Sequence, residues 1–313
     1  MEPALRENDS GKIETSDKVQ NRTKKRPAKA GRFFVLENQH GTITEDMLEV
    51  LKNGVNARQA KVAIFDFDGT VSLVRSGWVH VMVPMMVDGL RALKSGESDA
   101  ELALLVEEYV GQLTGKETIY QMIQYASEIE KRGGQPATAL EYKHEYLRRL
   151  WDLIRDRVKD LEDGALPEKY MVPGSREVLE ALKARGLKIY LASGTDEVDV
   201  RREAGLLDLT RYFDGGIYGA SDDMASFSKG MLVKRLVEQA GYQGEELLVF
   251  GDGYVEIDVV KQAGGVAVGL ATDEPHCLNV DEWKRTRLAG VGADFMLPNF
   301  LGSEAWLPKL FGA

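Results

Sequence analysis

Two aspartates two residues apart, Asp66 and Asp68, stand at the end of the stretch Val62-Ala-Ile-Phe-Asp-Phe-Asp-Gly-Thr-Val71. An apolar run of this length reads as a buried strand, and the acids mark where it surfaces. If strand geometry persists past Phe67, residues at i and i+2 share a face, and both carboxylates look toward the same space. Like charges held close raise one pKa, so one group can stay ionised while the other carries a proton. That division suits a nucleophile beside a general acid/base. A plain strand end followed by an Asp-Gly turn uses the same residues.

Three stretches downstream bear on that choice. The strand Leu187–Ala192 runs into Ser193-Gly194-Thr195 and opens onto Asp196 and Glu197. This reads as a helix start whose backbone N–H groups, with the Ser193 hydroxyl, form an anion site, or as a simple cap. Ser228-Lys229-Gly230 opens a second helix, and a lysine in the first turn opposes the helix dipole, so its placement needs a reason. Leu247-Leu-Val-Phe250 runs into Gly251-Asp252-Gly253, with Glu256 one helical turn beyond Asp252. An acid at a strand end and another at i+4 can turn two oxygens toward one Mg²⁺. The alternative is a turn with a helix-capping acid, and Asp258 is a weaker substitute for Glu256. His40, His144, His276 and Cys277 show no spacing of a zinc site or catalytic dyad.

The elements that must position these residues follow from hydropathy patterning. From about residue 172 strand and helix alternate, which predicts a parallel α/β sheet. Ser175 is expected to cap a helix over 176–185; Gly216–Gly219, Val266–Leu270 and Ala293–Leu297 read as strands, with a packed helix between the last two. Between Val71 and Met171 lie successive amphipathic stripes, beginning at Trp78 with Pro84 as a kink, then at Leu102, Ile119 and Tyr142. They predict a helical bundle inserted beside the carboxylates, placed to act as a lid. Upstream, Thr44 reads as the N-cap of a short helix carrying Met47, Val50 and Leu51, and Phe33–Leu36 as a short strand or anchor. The expected organisation is a disordered tail (1–32), a short extension (33–60), a core (61–72 and 172–313) and a helical cap (73–171).

Composition bounds the rest. A chain of 313 residues with 43% hydrophobic content can build a large core and more than one domain. A net charge of −10 argues against nucleic acid as a general partner. The single cysteine, Cys277, excludes an internal disulfide and fits a reducing, cytoplasmic setting. The apolar run Trp78–Val87 contains His80 and Pro84 and is too short to span a bilayer, and no segment of signal-peptide type is present. Neither membrane nor nucleic-acid partners are expected, and the chain carries no signal for an oligomeric state.

Taken in order, Phe65-Asp-Phe-Asp-Gly-Thr-Val71, Ser193-Gly-Thr195, Lys229 and Gly251-Asp-Gly-x-x-Glu256 resemble the motifs of the haloacid dehalogenase-like hydrolase superfamily, phosphatase branch. The resemblance runs from about Lys61 to the C-terminus and includes a cap-sized gap. It implies a Rossmann-like core with a helical cap and an aspartyl-phosphate mechanism. Asp66 would be the nucleophile and Asp68 the general acid/base. Asp66 and Asp252, with the Asp68 carbonyl, would hold Mg²⁺; Glu256 stands where many relatives carry Asp and would reach the metal directly or through water. Ser193, the Gly194 amide and Lys229 would bind the phosphoryl group. Around Gly115-Lys-Glu-Thr-Ile-Tyr-Gln-Met122 the cap resembles that of phosphoglycolate and sugar-phosphate phosphatases, with Arg75, Trp78, His80 and Lys116 as candidate contacts. The expected partner is a small phosphorylated metabolite, a sugar phosphate or a phosphoglycolate-like compound. Superfamily dehalogenases and phosphonate hydrolases lack an equivalent of Asp68. A phosphosugar mutase and a non-catalytic phosphate-ligand sensor are the alternatives.

Overall fold

The computed structural model describes residues 47–223 and 226–313. The expected tail, Phe33–Leu36 and the cap residue Thr44 lie outside the described residues. Seven strands form one sheet: β1 (Glu49–Val50), β2 (Val62–Phe65), β3 (Lys188–Asp196), β4 (Gly216–Ala220), β5 (Leu247–Gly251), β6 (Val266–Leu270) and β7 (Phe295–Leu297). Their order is β1-β7-β6-β5-β2-β3-β4, parallel throughout except for β1, which pairs antiparallel with β7. β2, β5 and β6 are fully buried along their lengths, as expected of parallel strands covered on both faces. β2 sits between β3 and β5, so the sheet changes direction of winding there. The carboxyl ends of these strands form the crevice where open α/β sheets place ligands.

Between β2 and β3 the chain makes the helical insertion: α1 (Val79–Arg91), α2 (Asp99–Gln112), α3 (Thr118–Lys131) and α4 (Ala139–Glu162). Each coincides with one of the apolar stripes, and Pro84 lies inside α1. Ser98 and Thr138 start α2 and α4 with reciprocal capping boxes to Glu101 and Glu141, which satisfies N–H groups the helices cannot bond themselves. Tyr125 of α3 meets Tyr142 of α4 edge to face, with ring centroids 4.7 Å apart. The remaining helices pack on the sheet: α5 (Ser175–Ala184), α6 (Glu197–Leu206), α7 (Lys229–Glu238), α8 (Tyr254–Gln262), α9 (Glu282–Val291) and α10 (Ser303–Leu310). Among the described residues no helix is long and apolar enough to cross a membrane.

Three local expectations are corrected. Residues 47–51 contain strand β1 instead of a helix face, because Glu49 and Val50 find unpaired edge partners in Met296 and Phe295. Ser175 is the first residue of α5 and not its cap; Gly174 takes that position in the left-handed region, and the Ser175 hydroxyl donates to the Val172 carbonyl at 2.6 Å. The third concerns Ser193–Thr195: β3 continues through them to Asp196 with a register shift, and α6 begins only at Glu197.

One contact within the insertion is open to test. A methyl group at Gly89 on α1 would take the space of the Tyr125 hydroxyl. Gly89→Ala is expected to lower stability by about 1–3 kcal/mol through overpacking, and adding Tyr125→Phe to recover part of the loss. Urea denaturation of the single and double variants measures both.

Candidate active site

Asp66 follows β2 directly, and its N–H still donates to the Phe250 carbonyl at 3.0 Å. Strand geometry then stops. The amides of Val71 and Ser72 both turn back to the Phe67 carbonyl at 2.9 Å. A turn therefore brings Asp66 and Asp68 to the same cavity, where strand pleating was the expected reason.

Lys229, in the first turn of α7, is buried and bridges two acids. Its ammonium donates to Asp66 Oδ1 and to Glu256 Oε2, both at 2.8 Å. Burial alone would lower the Lys229 pKa; the two carboxylates more than reverse this and hold it raised. Asp66 experiences the opposite balance. Burial pushes its carboxyl well above the ordinary range, Lys229 opposes the shift, and Glu256 and Asp252 add repulsion. The lysine disfavoured by its helix dipole is thus held there by the carboxylates.

Asp68 is held differently. The hydroxyls of Thr195 and Ser193 donate to its Oδ2 at 2.8 and 3.3 Å, while its Oδ1 is buried with no partner among the described residues. Burial raises its pKa against the pull of Arg75 and those hydrogen bonds. The extension of β3 is what points Ser193 and Thr195 at Asp68. The N–H of Thr195 donates to Ser193 Oγ at 3.0 Å, and the helix start expected at 193–195 does not form there, although Ser193 and Gly194 both line the cavity.

Asp252 follows β5. Its N–H donates to the Thr70 hydroxyl at 3.1 Å, that hydroxyl donates back to Oδ1 at 3.3 Å, and the Lys284 ammonium of α9 lies 3.0 Å from Oδ2. Lys284 also reaches Glu274 at 2.8 Å. Glu256 is buried and uses both oxygens: the Gly253 N–H donates to Oε1 at 2.5 Å and Lys229 to Oε2. It is therefore both the helix-capping acid of α8 and a member of the acidic cluster. Asp258 turns away to Gln262 at 2.8 Å.

Ligand oxygens of Asp66, Asp252 and Glu256 lie within 4.8 Å of one another. An all-oxygen, anionic donor set suits a hard divalent cation. The raised pKa of Asp66 and the orphaned Oδ1 of Asp68 show carboxylates that the protein alone leaves undercompensated. The residues fit a metal.

The cap completes the cavity. Its wall includes Arg75, Trp78, Met82, Lys116, Gln121 and Tyr146. Gly115, in the loop between α2 and α3, has φ +92°; a Cβ there would stand 2.8 Å from Glu256 Oε2. One at Gly194 would strike the Lys116 carbonyl. Glycine at both positions lets the cap loop reach the core acids and the Ser193 strand. His80 is exposed and outside the cavity wall. Arg75 is in the wall, yet its guanidinium is occupied: Glu203 accepts from Nη2 at 2.7 Å and from Nε at 3.1 Å, and Asp199 lies 3.0 Å away. Sequence reasoning missed Thr70, Thr195 as a partner of Asp68, Glu203, Lys284, Gln121 and Tyr146. Their only signal is spatial, as with Lys284, which lies 32 residues beyond Asp252.

A doubly wound sheet with a helical insertion at its switch point defines an α/β protein whose strand-end crevice holds a buried lysine and an acidic cluster consistent with a metal site. The model of the haloacid dehalogenase-like hydrolases matches residues 60–264, and the chain belongs to that family. It is 27% identical over 122 residues to a 5'-nucleotidase of Pseudomonas aeruginosa, covering 39% of this chain and 55% of that protein. It is 28% identical over 120 residues to a phosphorylated carbohydrates phosphatase of Thermotoga maritima, covering 36% and 55%. The chain thus spans about half the length of these two relatives, 55% of each. Among solved structures, a family IA, variant 3 HAD hydrolase of Entamoeba histolytica superposes with a TM-score of 0.52 at 17% identity, covering 81% of this chain and all (100%) of that one, which shows the fold.

Arg75→Met leaves the fully buried Glu203 with its guanidinium partner gone and is expected to lower stability by about 3–5 kcal/mol. Adding Glu203→Leu should restore most of it. Denaturant melts of the two variants decide this.

Proposed function

We propose that the protein is a Mg²⁺-dependent phosphomonoesterase acting on a small phosphorylated metabolite through an aspartyl-phosphate. The observation that carries the reading is the division of labour between Asp66 and Asp68. Lys229 ties Oδ1 of Asp66, which leaves Oδ2 for attack on phosphorus. Asp68 faces the same cavity with one oxygen fixed by two hydroxyls and the other unpartnered, the arrangement of a positioned proton carrier. The names of the curated relatives, a nucleotidase and a carbohydrate-phosphate phosphatase, point to the same ester chemistry.

In the first step Asp66 Oδ2 bonds to phosphorus as the bond from phosphorus to the leaving oxygen breaks. Asp68, shifted by burial toward the protonated form, gives its proton to that oxygen. In the second, the Asp68 carboxylate takes a proton from water while the water oxygen attacks phosphorus. The acyl-phosphate P–O bond breaks, and inorganic phosphate leaves with Asp66 restored. Lys229 stabilises charge on Asp66 and on the phosphoryl oxygens, and the Gly194 amide and Ser193 stand beside them. Asp66 and Asp252, with Glu256 in reach, would hold Mg²⁺, which supplies charge neutralisation between the anionic nucleophile and the anionic ester. Lys284 and Thr70 keep the Asp252 carboxylate oriented toward that position.

Phosphate release from a panel of phosphomonoesters tests the reading. Release should require Mg²⁺, stop with chelator, vanish in Asp66→Asn, and fall by about 10²–10⁴-fold in kcat in Asp68→Asn. Turnover by Asp66→Asn comparable with the unmodified protein would overturn it. Isomerised phosphosugar in place of free phosphate would identify a mutase.

A further inference from the structure

The cap side of the cavity holds two nearly buried polar side chains with no role in the proposed chemistry, one of them within the cap stretch Gly115–Met122. Gln121 of α3 and Tyr146 of α4 both line the cavity and are each only 4% exposed. Among the described residues, neither the Gln121 amide nor the Tyr146 hydroxyl forms a hydrogen bond with the protein. Their polar atoms are not sealed inside the protein but open onto the cavity, so a ligand that fills it replaces water as their hydrogen-bond partner. Tyr146 also lies close enough to Asp68 and Arg75 to be influenced electrostatically by both. Tyr146, Asp68 and Arg75 line the same cavity.

The charges of the wall narrow the ligand further. The buried cation on the cap side is Arg75, the natural receptor for a carboxylate substituent. Its fork is already filled by Glu203 and Asp199, two acids against one guanidinium, so a second anion there would have to displace one of them. Lys116 is exposed, and its ammonium sits 5.5 Å from the Tyr120 ring centroid, a cation open to solvent and screened by it. The remaining cap wall sets the apolar Trp78, Met82 and Leu150 beside the hydroxyls of Thr114, which donates to the Val110 carbonyl, and Thr118. Neutral hydrogen-bonding groups beside apolar surface suit a ligand with hydroxyls on a carbon skeleton.

We infer that Gln121 and Tyr146 are specificity residues that bind hydroxyl groups of the leaving alcohol, so that the preferred substrate is the phosphomonoester of a neutral polyol or sugar and not of a carboxylic acid. This rests on the phosphatase reading above. A site built to bond hydroxyls rejects esters that lack them, because its own polar groups are then left buried and unpaired.

The test uses the full chain with Mg²⁺ and compares ribose 5-phosphate and glycerol 3-phosphate with 2-phosphoglycolate, phosphoserine and p-nitrophenyl phosphate. The neutral polyol esters should lead the carboxylated ones in kcat/KM by at least about tenfold. Gln121→Leu and Tyr146→Phe, near-isosteric changes checked by thermal melts, should each lower kcat/KM for the polyol esters by about 10- to 100-fold. Their turnover of p-nitrophenyl phosphate, which has no alcohol hydroxyl to bond, should stay within about threefold, since no hydrogen bond is lost. A lead by 2-phosphoglycolate or phosphoserine, lost in Lys116→Met, would overturn the inference. So would equal losses on polyol esters and p-nitrophenyl phosphate, the mark of a merely structural role. Thermal shift of Asp66→Asn separates this from the underlying reading. Stabilisation by ribose 5-phosphate over 2-phosphoglycolate supports the specificity assignment even if the unmodified protein releases no phosphate, and the reverse order sinks it.

Discussion

Negative charge is concentrated where three parallel strands end, and the surrounding structure must compensate for it. Asp66, Asp252 and Glu256 bring oxygens within 4.8 Å of one another in surroundings that water screens poorly. Lys229 is inserted between Asp66 and Glu256, and Lys284 between Asp252 and Glu274. Each ammonium loses hydration to get there and is kept charged by the carboxylates it touches. The two lysines come from different helices, α7 and α9, so the site's electrostatics tie both helices to the carboxyl edge of the sheet. What the lysines leave uncompensated is the opening for a divalent cation.

The same logic seats the helical insertion on the core. Arg75, at its root, is clamped by Glu203 and Asp199 of α6. Arg157 of α4 donates to the carbonyls of Val74 and Ser76 at 2.9 and 2.7 Å, which fixes the segment leading out of the turn that carries Asp66 and Asp68. Lys143, buried on α4, reaches Asp196 at the end of β3 at 2.7 Å. Buried ion pairs add little net stability over apolar packing, but breaking one leaves a charge stranded, so they specify one seating of the insertion. A third approach comes from α9, where Arg287 donates to the Gly111 carbonyl at the end of α2 and the Trp283 ring closes over Gly111. α9 thus touches both the cap and, through Lys284, the metal-side acid.

On the function proposed above, selectivity between phosphate esters would fall to a different set of side chains from those that engage phosphorus. The core residues meet groups that all such esters share. The cap wall differs in kind: apolar surface, neutral hydroxyl and amide groups open to the cavity, and an arginine already neutralised. This separation lets one reaction serve many substrates by changing the inserted helices while the strand ends remain as they are.

How much of this was legible without coordinates depends on the range of the interactions involved. The strands, the four inserted helices and the motif residues Asp66, Asp68, Lys229 and Asp252 follow from local patterning, because hydrophobic periodicity and strand-end acids are properties of short stretches. Even there local rules misplaced Ser193–Thr195, since pairing with β4 carried β3 past the point where a helix start was expected. Residues 47–51 became a strand only because β7 had a free edge. Lys284, Glu203 and Tyr146 had no motif to announce them, and Gln121 stood in the cap stretch Gly115–Met122 without a role of its own. Their roles arise from side chains far apart in the chain meeting in one cavity, and whether a polar group is paired or left open is decided by packing. The sequence by itself determined the class of chemistry; the tertiary structure decided which charges are already neutralised, and so which groups are left to meet a ligand.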